Sequence, residues 1–167
     1  MKHITKRTIV ASCILIVAML MTISVFAASS NQLYIHNSSP GFVKMTGSLY
    51  GYTSNSTRIT LGSAITRTDF ISGQTHLYDE ARLTATLYEN YDRSGSLADV
   101  FTGDKVATSS PSDATPIGDY ITTTTVSVNA TCIGSMHSMK LPNDDMYVET
   151  LGMIINNGTL ERDSKVK

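Results

Sequence analysis

Three of the four histidines, His36, His76 and His137, lie beyond residue 27, and they are the first residues to consider for proton transfer or metal binding. None stands in a His-x-x-x-His spacing and no cysteine falls at ligand distance from one, so no recognisable zinc pattern is present. Cys132 and His137 would make a nucleophile and its base if they met. Their separation is odd, so on one extended strand they fall on opposite faces. Cys132 alternates with Val128 and Ala130, which reads it as a small buried hydrophobe. Gly134-Ser135-Met136-His137-Ser138 is not a Gly-x-Ser-x-Gly elbow and has no strand–turn–helix context.

The carboxylates suggest two further chemistries. Asp79-Glu80 and Asp144-Asp145 are adjacent acids, and Asp79, Glu80 or Asp92 could serve acid–base hydrolysis if the fold brought them together. Asn90-Tyr91-Asp92-Arg93-Ser94-Gly95 places oxygen side chains at alternate positions before a glycine, like the start of a calcium loop. It lacks the later bidentate Glu and carries Arg93 inside, so no metal and no cofactor is expected. Tyrosines offer recognition rather than catalysis. Tyr88 shares the polar face of its segment with Thr84 and Thr86, and such a surface can stack on a sugar or dock a protein. Thr84, Thr86 and Tyr88 are therefore the candidate binding surface.

The elements that must position these residues read as strands. Period-two alternation is frequent, while a 3.6-residue apolar period never persists beyond residue 27 for more than two turns. From Ala81 to Tyr91, Ala81, Leu83, Ala85 and Leu87 point one way and Arg82, Thr84, Thr86, Tyr88 and Asn90 the other. Tyr120 to Met136 reads as one long strand rich in threonine, which is stiff at χ1 and suits a pleated surface. Further strands are predicted at Gln32–His36, Phe42–Tyr52, Arg58–Leu61, Ala64–Phe70, Leu97–Phe101 and Met146–Ile155. Turn-forming residues separate them: Asp92 to Ser96 as a short hairpin loop, Leu141 to Asp145 as a turn, and Ser109 to Asp119 as a longer loop. About seven to nine short strands without intervening helices predict an all-β protein, an antiparallel β-sandwich or small barrel, preceded by a hydrophobic signal helix.

That signal is the N-terminal Lys2, Lys6 and Arg7, the apolar run Ile9 to Phe26, and the small residues Ala27, Ala28 and Ser29. We expect residues 1–27 to be a removable secretory peptide, 28–155 a single domain, and 156–167 a polar tail that frays. The signal's length is typical of Gram-positive bacteria. Its removal takes away Cys13 and leaves Cys132 without a partner for an internal disulfide. It also takes three basic residues and no acid, leaving 10 basic against 14 acidic residues, net −4. With basic residues singly spread, nucleic-acid binding is excluded. Charged residues are only 16% of the chain, and Ser, Thr and Asn supply the polarity instead.

The expected protein is thus secreted or cell-surface associated and meets the membrane only through its uncleaved signal. Its expected function is a non-enzymatic extracellular binding or structural module for a cell-surface glycan or protein. The alternatives are a hydrolase of wall or extracellular polymers and a bacteriocin- or toxin-like effector. A cleft holding two carboxylates or a His–carboxylate pair would favour the hydrolase.

Overall fold

A computed structural model describes residues 29–38, 43–73 and 75–166. The segment expected to be the signal lies outside the described residues. Eleven strands are present among those described: β1 Ser29–Ser38, β2 Val43–Thr53, β3 Ile59–Phe70, β4 Glu80–Glu89, β5 Asp104–Ser109, β6 Thr115–Pro116, β7 Tyr120–Thr122, β8 Val126–Ala130, β9 Cys132–Lys140, β10 Met146–Asn156 and β11 Thr159–Arg162. A 3-10 turn spans Val100–Thr102. The protein is all-β, as its alternation implies, and its strands form two antiparallel sheets.

The first sheet runs β1-β2-β3, with β7 and β8 sharing the far edge of β3. The second runs β11-β10-β9-β4-β5, with β6 paired to the start of β4. The sheets lie face to face in a sandwich-like arrangement, because each has one apolar face to bury. On β4 the alternation is realised: Ala81, Leu83, Ala85 and Leu87 are all buried between the sheets. Two apolar clusters fill that space. One joins Leu49 and Ile59 of the first sheet to Leu87, Ile133, Leu151 and Met153 of the second. The other joins Val43 and Met45 to Leu83 and Met139. Between them the core is polar, with Gly47 and Thr66 paired on one sheet and Ser135 and His137 facing them from the other.

Several expectations are corrected. Among the described residues there are eleven strands rather than about seven to nine. Arg58–Leu61 and Ala64–Phe70 are one continuous strand, β3, bulged between Ile59 and Leu61. Tyr120–Met136 is not one strand but parts of three. β7 and β8 pair with β3 in the first sheet, and after Thr131 the chain enters the second sheet as β9. Cys132 is buried as expected, yet with Tyr91, Ala98, Val100 and Val166 on the outer side of the second sheet, not with Val128 and Ala130.

The predicted strand at Leu97–Phe101 is not formed, and the hairpin expected at Asp92–Ser96 is a longer excursion. Residues 91–103 leave the sheet edge and cover its outer face. Val100 lies where a Cβ on Gly134 would be, so only glycine permits that approach. The tail does not fray: β11 pairs with β10 through a two-residue Asn157-Gly158 turn in which both residues have positive φ. Beyond it, Asp163 is 1% exposed and receives hydrogen bonds from the Tyr91 hydroxyl, the Arg93 guanidinium and the Lys165 amide. Burial pushes that carboxyl up, but these donors outweigh it and the net direction is down. Burial, joined by the same Asp163 partnership, raises the Tyr91 phenol.

Candidate functional site

Two constellations carry groups capable of chemistry, one inside the sandwich and one at its end. The inner one rests on β9. Ser135 and His137 stand two residues apart, so a strand puts both side chains on the same face. That face is the inner one, and both residues are fully buried. The Ser135 hydroxyl lies 2.7 Å from His137 Nε2, and the Thr66 hydroxyl 3.0 Å from Nδ1. Thr66 donates its own proton across the sheets to the Thr84 carbonyl at 2.8 Å. Nδ1 must therefore carry the imidazole proton and give it to Thr66, which leaves Nε2 to accept from Ser135.

This is the hydrogen-bond order of a nucleophile and its base. Two features disarm it. The orienting partner on Nδ1 is a hydroxyl rather than a carboxylate, and the couple has no exposed surface. Burial lowers the His137 pKa to about 4, with the Ile65 carbonyl opposing weakly, so the ring is neutral at neutral pH. Glu149 holds the cross-strand position beside His137 on β10. The expected separation of Cys132 from His137 is met: Cys132 lies on the outer side and burial raises its thiol, which makes it a poor nucleophile.

The outer constellation is a cleft of about 540 Å³. Glu80 and Arg82 reach it from the start of β4, Asp113 from the loop before β6, Lys140 from the end of β9, and Pro142 and Asp144 from the following turn. Arg82 and Lys140 stand directly opposite one another across the β4–β9 pair. Like charges so placed repel, and Asp144 relieves this by taking Lys140 at 2.8 Å. That hydrogen bond, with the lysine's charge behind it, holds the Asp144 carboxyl below its usual range. Asp144 reaches this position from a turn in which its own φ is +70°. Among the described residues Arg82, Glu80 and Asp113 form no ion pair, although the Arg82 charge also helps to hold Asp144 low.

Of the acids considered for acid–base work, the cleft gathers one from each adjacent pair, Glu80 and Asp144. Asp79 faces His76 at 3.5 Å, and Asp92 accepts from the amide and hydroxyl of Ser94 at the opposite end of β4. In the segment read as the start of a calcium loop, Asp92 closes that turn and Arg93 pairs with Asp163. Among the described residues no three of His, Cys, Asp and Glu gather as a metal site.

The candidate binding surface is brought together, but only in part. Thr84, Thr86 and Tyr88 do line the outer face of β4. Thr84 is half-buried and shares a hydrogen bond with Ser110 at 3.2 Å, and Tyr88 meets Phe101 edge-on at 6.0 Å between ring centres. Thr86 is buried and accepts from Thr108, because β5 and β9 flank it on both sides. Asn90 has left the strand for a left-handed turn position.

Sequence reasoning missed Asp113, which the fold carries to the cleft from a loop distant in sequence. It also missed the Ser135–His137 couple, although the two-residue spacing on a strand was its signal. No protein-family model matches the chain, and no curated protein or solved structure matches it either.

Proposed function

We propose that the chain is exported and acts as a non-enzymatic extracellular binding module. In this reading the two sheets are a true β-sandwich, preceded in the precursor by a hydrophobic signal helix over residues 1–27. The observation that carries the reading is the division of polar groups. The Ser–His couple is sealed and satisfied inside, whereas the cleft holds three exposed charged groups, Glu80, Arg82 and Asp113, outside any ion pair. A cleft of about 540 Å³ lies within the roughly 300–1,000 Å³ that holds small ligands. Arg82 offers a planar fork for a carboxylate, and Glu80 and Asp113 accept from hydroxyl or amino groups. That combination suits a cell-surface glycan or peptide bearing an anionic group among neutral donors.

The test is calorimetric titration of the protein with soluble cell-wall fragments, alongside sedimentation with insoluble wall. Saturable binding that Arg82→Ala abolishes supports the reading. Binding that ignores Arg82→Ala, or no binding to any fraction, refutes it.

A second reading, hydrolysis of such polymers, is favoured by one observation: Glu80 and Asp113 line the cleft as carboxylates outside any ion pair, beside the lysine-paired Asp144. Both are exposed, whereas a general acid requires a carboxyl withdrawn from water. Release of reducing ends that Glu80→Gln or Asp113→Asn abolishes would establish it over simple binding.

A further inference from the structure

The four edges of the two sheets differ in how they are protected. An edge strand presents a row of unpaired N–H and C=O groups, and natural proteins blunt such edges by shortness, charge or proline. The far edge of the first sheet is divided between β7, three residues long, and β8, five. In the second sheet, β11 has four residues and includes Glu161 and Arg162. β5 has six residues and begins Asp104-Lys105, and β6 has two, one of them Pro116.

β1 is the exception. It is ten residues long, Ser-Ser-Asn-Gln-Leu-Tyr-Ile-His-Asn-Ser, with no Asp, Glu, Lys, Arg, Pro or Gly. It pairs with β2 along its whole length without a register shift. Among the described strands it has no pairing partner on its other side. At about 3.3 Å per residue this leaves some 30 Å of regular, uncharged edge.

We propose that β1 pairs antiparallel with β1 of a second copy, joining two five-stranded sheets into one continuous sheet across a two-fold axis. A second copy fits better than an unrelated strand for two reasons. Self-pairing about a central axis sets two strands of equal length together, and a strand without formal charge meets its own copy without repulsion. Residues opposite one another in an antiparallel pair share a face. The axis therefore sets a residue against its own copy, and the central positions are Leu33 and Tyr34, which sit across from Leu49 and Ser48 of β2. Main-chain hydrogen bonds supply the affinity in this mode of association. This inference does not depend on the cleft.

The experiment is sedimentation equilibrium on protein recovered from the medium of an expressing culture, from micromolar to about 1 mM. Gln32→Lys is compared with Thr159→Lys on the already charged edge of β11. Gln32 is exposed, and a lysine there sets two like charges near the axis. The expected result is a dimer for the natural sequence and for Thr159→Lys, with dimer affinity at least tenfold weaker for Gln32→Lys. A monomer at every concentration overturns the proposal, and so does a dimer that Gln32→Lys leaves intact. Growth into larger assemblies also overturns it, because two-fold pairing closes on itself. If Gln32→Lys fails to fold, amide exchange of the natural protein decides. Protection of residues 29–38 that rises with concentration supports the pairing, and protection independent of concentration refutes it.

Discussion

The sealed layer at Gly47, Thr66, Ser135 and His137 and the open cleft at Glu80, Arg82, Asp113, Lys140 and Asp144 are both polar, and they are opposites. In the first, every polar side chain has a partner, and the network ends on a backbone carbonyl in the facing sheet. In the second, one ion pair is made and three charged groups are left over. A buried polar group must be satisfied, or it costs about 1–3 kcal/mol. The inner layer therefore belongs to the fold. It stitches the sheets at a point where two apolar clusters would otherwise be continuous. The cleft is under no such demand, and its charges are free for a ligand. A serine within hydrogen-bond reach of a histidine is thus not a site by itself, because access separates the two regions.

Three measurements would break or sharpen that contrast. The largest effect is expected from His137→Ala. It leaves a cavity and strips Ser135 and Thr66 of their partner, for a loss of about 4 kcal/mol in urea unfolding. A loss under about 1 kcal/mol would mean that the layer is not structural.

Next is acid. His137 is neutral in the folded state down to about pH 4, while the unfolded chain takes up a proton near pH 6.5. Below 6.5 the unfolded state binds more protons, so stability is complete above that pH. It declines as pH falls toward 4, by about 3 kcal/mol in all. His137→Gln should flatten this window. Asp163 acts separately, because its depressed carboxyl protects the fold above the ordinary carboxylate range and its contribution is lost below it. A natural protein as stable at pH 4.5 as at pH 7 would contradict the buried, neutral ring.

The smallest effect on stability belongs to the cleft. Arg82 is exposed and unpaired, so Arg82→Ala should shift the unfolding midpoint by no more than about 0.5 kcal/mol. The same change should remove ligand binding. A large loss of stability would move Arg82 from the ligand to the fold.

Local pattern determined a good deal of this protein. The alternation from Ala81 to Leu87 placed four residues in the core, and the odd spacing of Cys132 and His137 placed them on opposite sides of one sheet, because a strand's period is a local property. The Asn157-Gly158 pair was an equally local hairpin signal, and it shows why the C-terminal segment is ordered rather than frayed. Tertiary structure decided the rest. The β-branched run from Tyr120 reads as one strand because nothing local marks Thr131 as the crossing between sheets. The outer face of the second sheet reads as solvent because the sequence does not show that β5 will pair beside β4 and set Thr108 against Thr86, or that Val100 and Val166 will cover Gly134 of β9 and Gly152 of β10. The cleft joins Glu80 and Arg82 to Asp113 and Lys140, groups far apart in sequence. Which charges meet depends on antiparallel pairing between distant segments. That pairing is set by burial of both sheets at once, and no single segment encodes it.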